Sequence, residues 1–122
     1  MAKSLLVNKP FIINSLDQAK KAIQQNLGSS VSLVSSHNST RNSGPSYFIN
    51  LKNELENIYK GLKITMWIDC GQDPGLVMNT IRHGGKNIIF SNPKINEIYE
   101  MAVIENVKMI DSISDVIDLS KN

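Results

Sequence analysis

"KITMWIDCGQDPGLVMNTIRHGG", residues 63–85, decides the fold. Lys63–Asp69 is apolar at odd and even positions alike, as a strand buried on both faces of a parallel sheet must be. After Cys70-Gly71-Gln72, Asp73 is placed to cap a helix, and Pro74 sits at its first position, where a missing amide costs nothing. Leu76, Val77 and Ile81 carry that helix to Gly84-Gly85, which stops it. Strand, tight turn and helix thus follow one another within 23 residues, the unit from which parallel sheets are built.

The same unit recurs on either side. Phe11–Ile13 reads as a short strand, and Ser15 with Gln18 forms a capping box for a helix bearing Leu16, Ala19, Ala22, Ile23 and Leu27, ended by Gly28. Val31–Ser35 is a strand, followed by a polar loop, "SHNSTRNSGPS". Tyr47, Phe48, Leu51, Leu55, Ile58 and Tyr59 then repeat at helical spacing up to Gly61. Asn87–Phe90 is a strand, Asn92-Pro93 repeats the cap-plus-proline device, and Ile95, Ile98, Tyr99, Ala102 and Val103 form a buried stripe. Val107–Ile110 is the last strand, with Ser112–Asp115 capping a short terminal helix through Ile117. This alternation predicts one α/β domain over residues 1–122, a three-layer α/β/α sandwich. Its sheet is mainly parallel and four- or five-stranded, Rossmann-like or flavodoxin-like, with the strand order 3-2-1-4-5 or 2-1-3-4-5.

Composition narrows the function classes. The chain has 41% hydrophobic and 20% charged residues, and its net charge of +2 comes from 13 basic and 11 acidic side chains scattered along it. No basic stripe is present, which argues against nucleic acid as a partner. No apolar run approaches the roughly 18 residues of a membrane span, and no secretory signal pattern stands at Met1–Ile13. The expected location is cytoplasmic, so the sequon at Asn38 is discounted, and the lone Cys70 forms no intramolecular disulfide.

In sheets of this kind the ligand crevice lies outside the carboxyl ends of the strands. That rule selects Ser35, Ser36, Arg41, Gly44, Asp69, Cys70, Gly71, Asp73, Ser91 and Asn92 as ligand-binding candidates. A helix start after Gly71 presents free amides to an anion, and Arg41 can hold a carboxylate or phosphate with two hydrogen bonds. The bland account of the same turn is a cap, a helix-starting proline and a permissive glycine. Cys70 and His37 are the weak catalytic candidates, a thiol near a helix start with a base beside it. Sharper motifs fail. The sixth residue after Cys70 is Leu76, not the Arg of a phosphatase loop, and neither GxGxxG nor GxxxxGK[ST] occurs. "NSLD" and "DSIS" stand where a phosphoacceptor receiver needs its acidic pair and its Lys. No metal site is expected, and no cofactor is indicated.

"SLDQAKKAI", "VSLVSS", "GPSYF", "IDCGQDPGLVMNTIRHG", "IIF" and "VIDL" follow each other in an order that resembles an uncharacterised family of small single-domain bacterial α/β proteins. The D-C-G-x-x-P-G turn followed by R-x-G is its most specific part. The resemblance implies a free-standing domain and draws attention to Gly44, Asp69, Cys70, Gly71, Pro74 and Gly75, but it implies no activity, substrate or cofactor. Three functions therefore stand side by side. One is the binding of a small anionic ligand such as a nucleotide or phosphorylated metabolite; one is an interaction or scaffold domain, a homodimer included; one is a Cys70-dependent thiol enzyme.

Overall fold

The computed structural model describes residues 9–92 and 94–121. Six strands form one parallel sheet, β1 (Phe11–Ile13), β2 (Ser30–Ser35), β3 (Lys63–Asp69), β4 (Asn87–Ile89), β5 (Lys108–Ile110) and β6 (Ile117–Asp118). Five helices connect them: α1 (Leu16–Gln25), α2 (His37–Ser43), α3 (Pro45–Ile58), α4 (Pro74–Arg82) and α5 (Asn96–Ile104). The class is α/β with a parallel, Rossmann-like sheet, two strands wider than the smaller and one wider than the larger sheet anticipated.

The strand order is β5-β4-β3-β2-β1-β6. Neither of the orders weighed above is present, because the first five strands follow one another without reversal. Crossovers between parallel neighbours are right-handed, so an unreversed series sends every connecting helix to the same side. The packing agrees. Ala19, Ala22, Phe48, Leu51, Leu55, Val77, Ile98 and Ala102 of the helices share one cluster with Phe11, Ile13, Val31, Leu33, Ile64, Met66, Ile68 and Ile88 of the strands. The other face gathers Val34, Trp67 and Ile89, with Ile12, Ile110 and Ile113 against them, and no helical residue. The layer on that face is a strap, residues 111–116, rather than helices.

Geometry dictates the strap. β5 and β6 are opposite edges of the sheet. Five strand spacings of about 4.8 Å put them about 24 Å apart. The seven steps from Ile110 to Ile117 reach about 25 Å only when extended, whereas a six-residue helix spans about 9 Å. The terminal helix expected from Ser112 through Ile117 is therefore absent, and Ile117-Asp118 pairs with Phe11-Ile12 instead. Ile117 N–H donates to Pro10 O at 2.9 Å and Leu119 N–H to Ile12 O at 2.9 Å.

Other differences are local. The stretch read as a polar loop after β2 is the helix α2, whose first turn Ser36 caps by accepting from Ser39 N–H at 3.3 Å. Gly44, at φ +88°, ends α2 and precedes Pro45 of α3. The Ser15 cap is present, but Gln18 Oε1 accepts from Asn14 N–H, one residue before the cap, at 2.6 Å. α1 stops at Gln25, so Leu27 lies beyond it and is exposed. α5 starts at Asn96 with no side-chain cap, and Asn92 instead accepts from Lys94 N–H at 3.3 Å; Pro93 lies outside the described residues. Val103, expected in the buried stripe of α5, is 80% exposed beside the equally exposed Ile104. The Asp73 cap and Pro74 start of α4 are as read, with Asp73 Oδ1 accepting from Leu76 N–H at 3.2 Å. Among the described residues no helix is long and apolar enough to cross a membrane.

Candidate functional site

The strap, the ends of β2 and β3 and the turn after β4 enclose a pocket of about 430 Å³ on the helix-free side of the sheet. Its floor is Ile12, Val34 and Ile89, and Ile113 of the strap closes over them. Its rim is polar: Ser35, Ser36 and His37 after β2, Asp69 and Gly71 after β3, Ser91 after β4, then Asp111, Ser112 and Asp118. Six of the residues singled out from sequence, Ser35, Ser36, His37, Asp69, Gly71 and Ser91, therefore meet in one place.

A hydrogen-bond chain fixes this rim. Thr40 Oγ1 donates to Ser36 O at 3.0 Å, so the Ser35 hydroxyl must donate to Thr40 Oγ1, 2.6 Å away, and its oxygen accepts from Asp69 N–H at 3.1 Å. Ser35 and Thr40 are fully buried, which makes each of these bonds costly to lose. Asp69 Oδ1 in turn accepts from Gly71 N–H at 2.9 Å, and Gly71 O accepts from Ser91 N–H at 2.8 Å and from the Ser91 hydroxyl at 3.2 Å. Ser36 Oγ donates to Asn14 Oδ1 at 2.8 Å and so ties the end of β1 into the same edge.

Gly71 is a glycine for two reasons. Its φ is +57°, and a Cβ there would stand 2.6 Å from His37 Nε2. The imidazole of His37 lies directly over the Gly71 backbone. His37 Nε2 is itself buried and has no hydrogen-bond partner among the described residues. A buried polar atom normally has a hydrogen-bond partner, and this one sets His37 apart from the other side chains of the rim.

His37 also borders a second depression of about 210 Å³, shared with Arg41, Gln72 and Asp73 at the start of α4. Arg41, Gln72 and Asp73 line this depression and not the first, and His37 is common to both. Gly44 and Asn92 line neither depression. A shallower trough of about 620 Å³ continues from Ser91, Asp111 and Ser112 along β5.

Cys70 faces away from all of this. Strand alternation puts it with Ile68 on the helix side, where it is fully buried and its Sγ lies 3.5 Å from Thr80 Oγ1. Burial pushes its thiol up to about 12, the Thr80 hydroxyl lowering it in part and the Asp69 and Asp73 carboxylates adding to the rise. Cys70 lines neither depression.

Ile12, Val34, Ile89, Ile113 and Asp118 were absent from the sequence-derived set. The first three follow from the pleat once the helix-free face is known. Asp118 belongs to "IDLS", Ile117 to Ser120, whose alternation of apolar and polar residues is a strand signal. Asp118 Oδ1 accepts from Ser120 N–H at 2.9 Å and from the Ser120 hydroxyl, and these bonds hold its carboxyl below the usual range. Among the described residues no group of three or more His, Cys, Asp or Glu could hold a metal ion. Searches against protein-family models, curated proteins and solved structures returned no match for this chain.

Proposed function

We propose that the protein binds a small anionic molecule at the carboxyl ends of its strands. The anionic group would rest on Arg41 beside the start of α4, and the body would pass His37 into the pocket under the strap. The observation that carries this reading is the convergence of Ser35, Ser36, His37, Asp69, Gly71 and Ser91 on one pocket at the strand ends, with Arg41 in the adjoining depression. The larger pocket, apolar on its floor with a few convergent polar groups, has the usual constitution and size of a small-molecule site. Arg41 supplies the charge-assisted, two-pronged contact that a carboxylate or phosphate monoester accepts.

The test is a titration of the full chain with a panel of carboxylates, nucleotides and sugar phosphates, read by amide NMR at His37, Gly71 and Ser91. Saturable shifts there, with affinity lowered about tenfold or more by Arg41→Ala, support the reading. Shifts with every compound that Arg41→Ala leaves unchanged would remove the anion contact, and no shift with any would remove the site.

A second reading, an interaction surface, rests on the neighbouring exposed side chains Val103 and Ile104 of α5. Sedimentation over a hundredfold range of concentration tests it, a constant mass counting against self-association.

A further inference from the structure

The charges around the pocket are unusual for an anion site. Asp69, Asp111 and Asp118 line it, Asp73 borders the adjoining depression, and Arg41 is the single Lys or Arg among the residues lining either one. A phosphate dianion would meet these carboxylates across a partly desolvated cleft, where like charges repel strongly. A ligand that brings positive charge as well as an anionic group complements this lining better than a phosphate does.

The sheet fixes where that positive charge sits. Ile12 pairs with Val34 and with Asp118, and Val34 pairs with Trp67, so all four share a face; Asp69, two residues after Trp67, is on it too. Asp69 on β3 and Asp118 on β6 are separated by β2 and β1. Three strand spacings and two residues of offset put their Cα atoms about 16 Å apart. That is too far for one ion or one diol to touch both. Between them lie Val34 and Ile12, apolar, with Ile113 above. Asp69 Oδ1 is taken by Gly71 and Asp118 Oδ1 by Ser120, and among the described residues neither second oxygen has a partner. Two carboxylate ends, an apolar span and a nearby guanidinium complement a linear molecule with a carboxylate and an amine at one end, methylenes in the middle and a cation at the other.

We propose that the ligand is a linear basic α-amino acid of lysine or arginine length. This inference rests on the strand-end site and the Arg41 contact of the reading above, and it replaces a purely anionic ligand by one that also carries cations. The carboxylate lies on Arg41, the α-ammonium on the second oxygen of Asp69, the methylenes over Val34 and Ile12, and the terminal cation on Asp118. Asp118 is then the specificity-determining residue, supplied by the short edge strand that the strap delivers across the sheet.

Calorimetric titration of the full chain with lysine, arginine, norleucine, cadaverine and inorganic phosphate separates the parts. Lysine or arginine is expected to bind at least tenfold more tightly than norleucine, which lacks the terminal cation, and than cadaverine, which lacks the carboxylate. Asp118→Asn, which keeps the Ser120 contacts available, should erase the advantage over norleucine. Arg41→Ala should erase the advantage over cadaverine. Equal affinity for lysine and norleucine, or indifference to Asp118→Asn, overturns the proposal. If phosphate binds more tightly than lysine and Arg41→Ala weakens it, the basic amino acid falls while the anion site stands. If no compound here and none of the earlier panel binds, both fall.

Discussion

The two faces of the sheet do different work. One is buried under helices, and its cluster runs from Phe11 on β1 to Val107 before β5. The other carries three buried residues, Val34, Trp67 and Ile89, and a strap that is neither helix nor strand. Stability concentrates where apolar area is removed from water, so the helix face holds the fold together. The strap face gives up that burial and gains a pocket whose floor is apolar and whose rim is polar. Asp69 and Cys70 show the division at the scale of one bond. The carboxylate turns to the pocket and the thiol to the core, because neighbours in a strand face opposite ways.

The sharpest way to break the comparison is truncation on each side. Phe48→Ala, in the helix-face core, should cost about 3–5 kcal/mol, while Ile113→Ala on the strap should cost about 1 kcal/mol, both measured by urea unfolding. Equal losses would mean that the strap is as much a part of the core as α3. Gly71→Ala comes next. The positive φ and the close approach of His37 should together cost about 1–3 kcal/mol and displace the imidazole, seen as a large change in the His37 ring resonances. An unchanged His37 would show that the ring does not rest on that backbone.

The smallest effect is protonic. With its folded pKa raised to about 12 against an ordinary 9.0, Cys70 favours the folded state fully below pH 9, and that contribution is lost as pH rises towards 12. By pH 10 the loss is about 1 kcal/mol. Denaturant midpoints compared between the native chain and Cys70→Ala at pH 8 and 10 should diverge accordingly, and alkylation at pH 8 should require unfolding. A thiol that alkylates rapidly in the folded state would place Cys70 in the pocket and contradict the division of faces.

What was legible in the sequence follows the same line. β3, the Asp73 cap and the Pro74 start were readable because each is written in neighbouring residues. α2 was not, since Thr40 is its one buried residue and a hydroxyl chain to Ser35, rather than apolar periodicity, secures it. The strap and β6 were not, because the edge-to-edge distance that extends them exists only once the strand order is known. The choice of Ser35, Ser36, Asp69, Gly71 and Ser91 needed only the rule that ligands sit at strand ends. Cys70 shares the parity of Ile68 and lies with it in the core, which a strand apolar on both faces does not reveal. Asp118 was hidden because it lies one residue beyond the helix expected to end at Ile117.

The central claim is that ligand binding belongs to the strap face and fold stability to the helix face. It is tested most directly by mapping amide shifts during titration with lysine, arginine and the anion panel. The account predicts saturable shifts at Ser36, His37, Gly71, Ser91, Ile113 and Asp118, with Phe48, Leu55 and Ala102 unmoved. Shifts centred on the helix residues, or none at the strap, would contradict it.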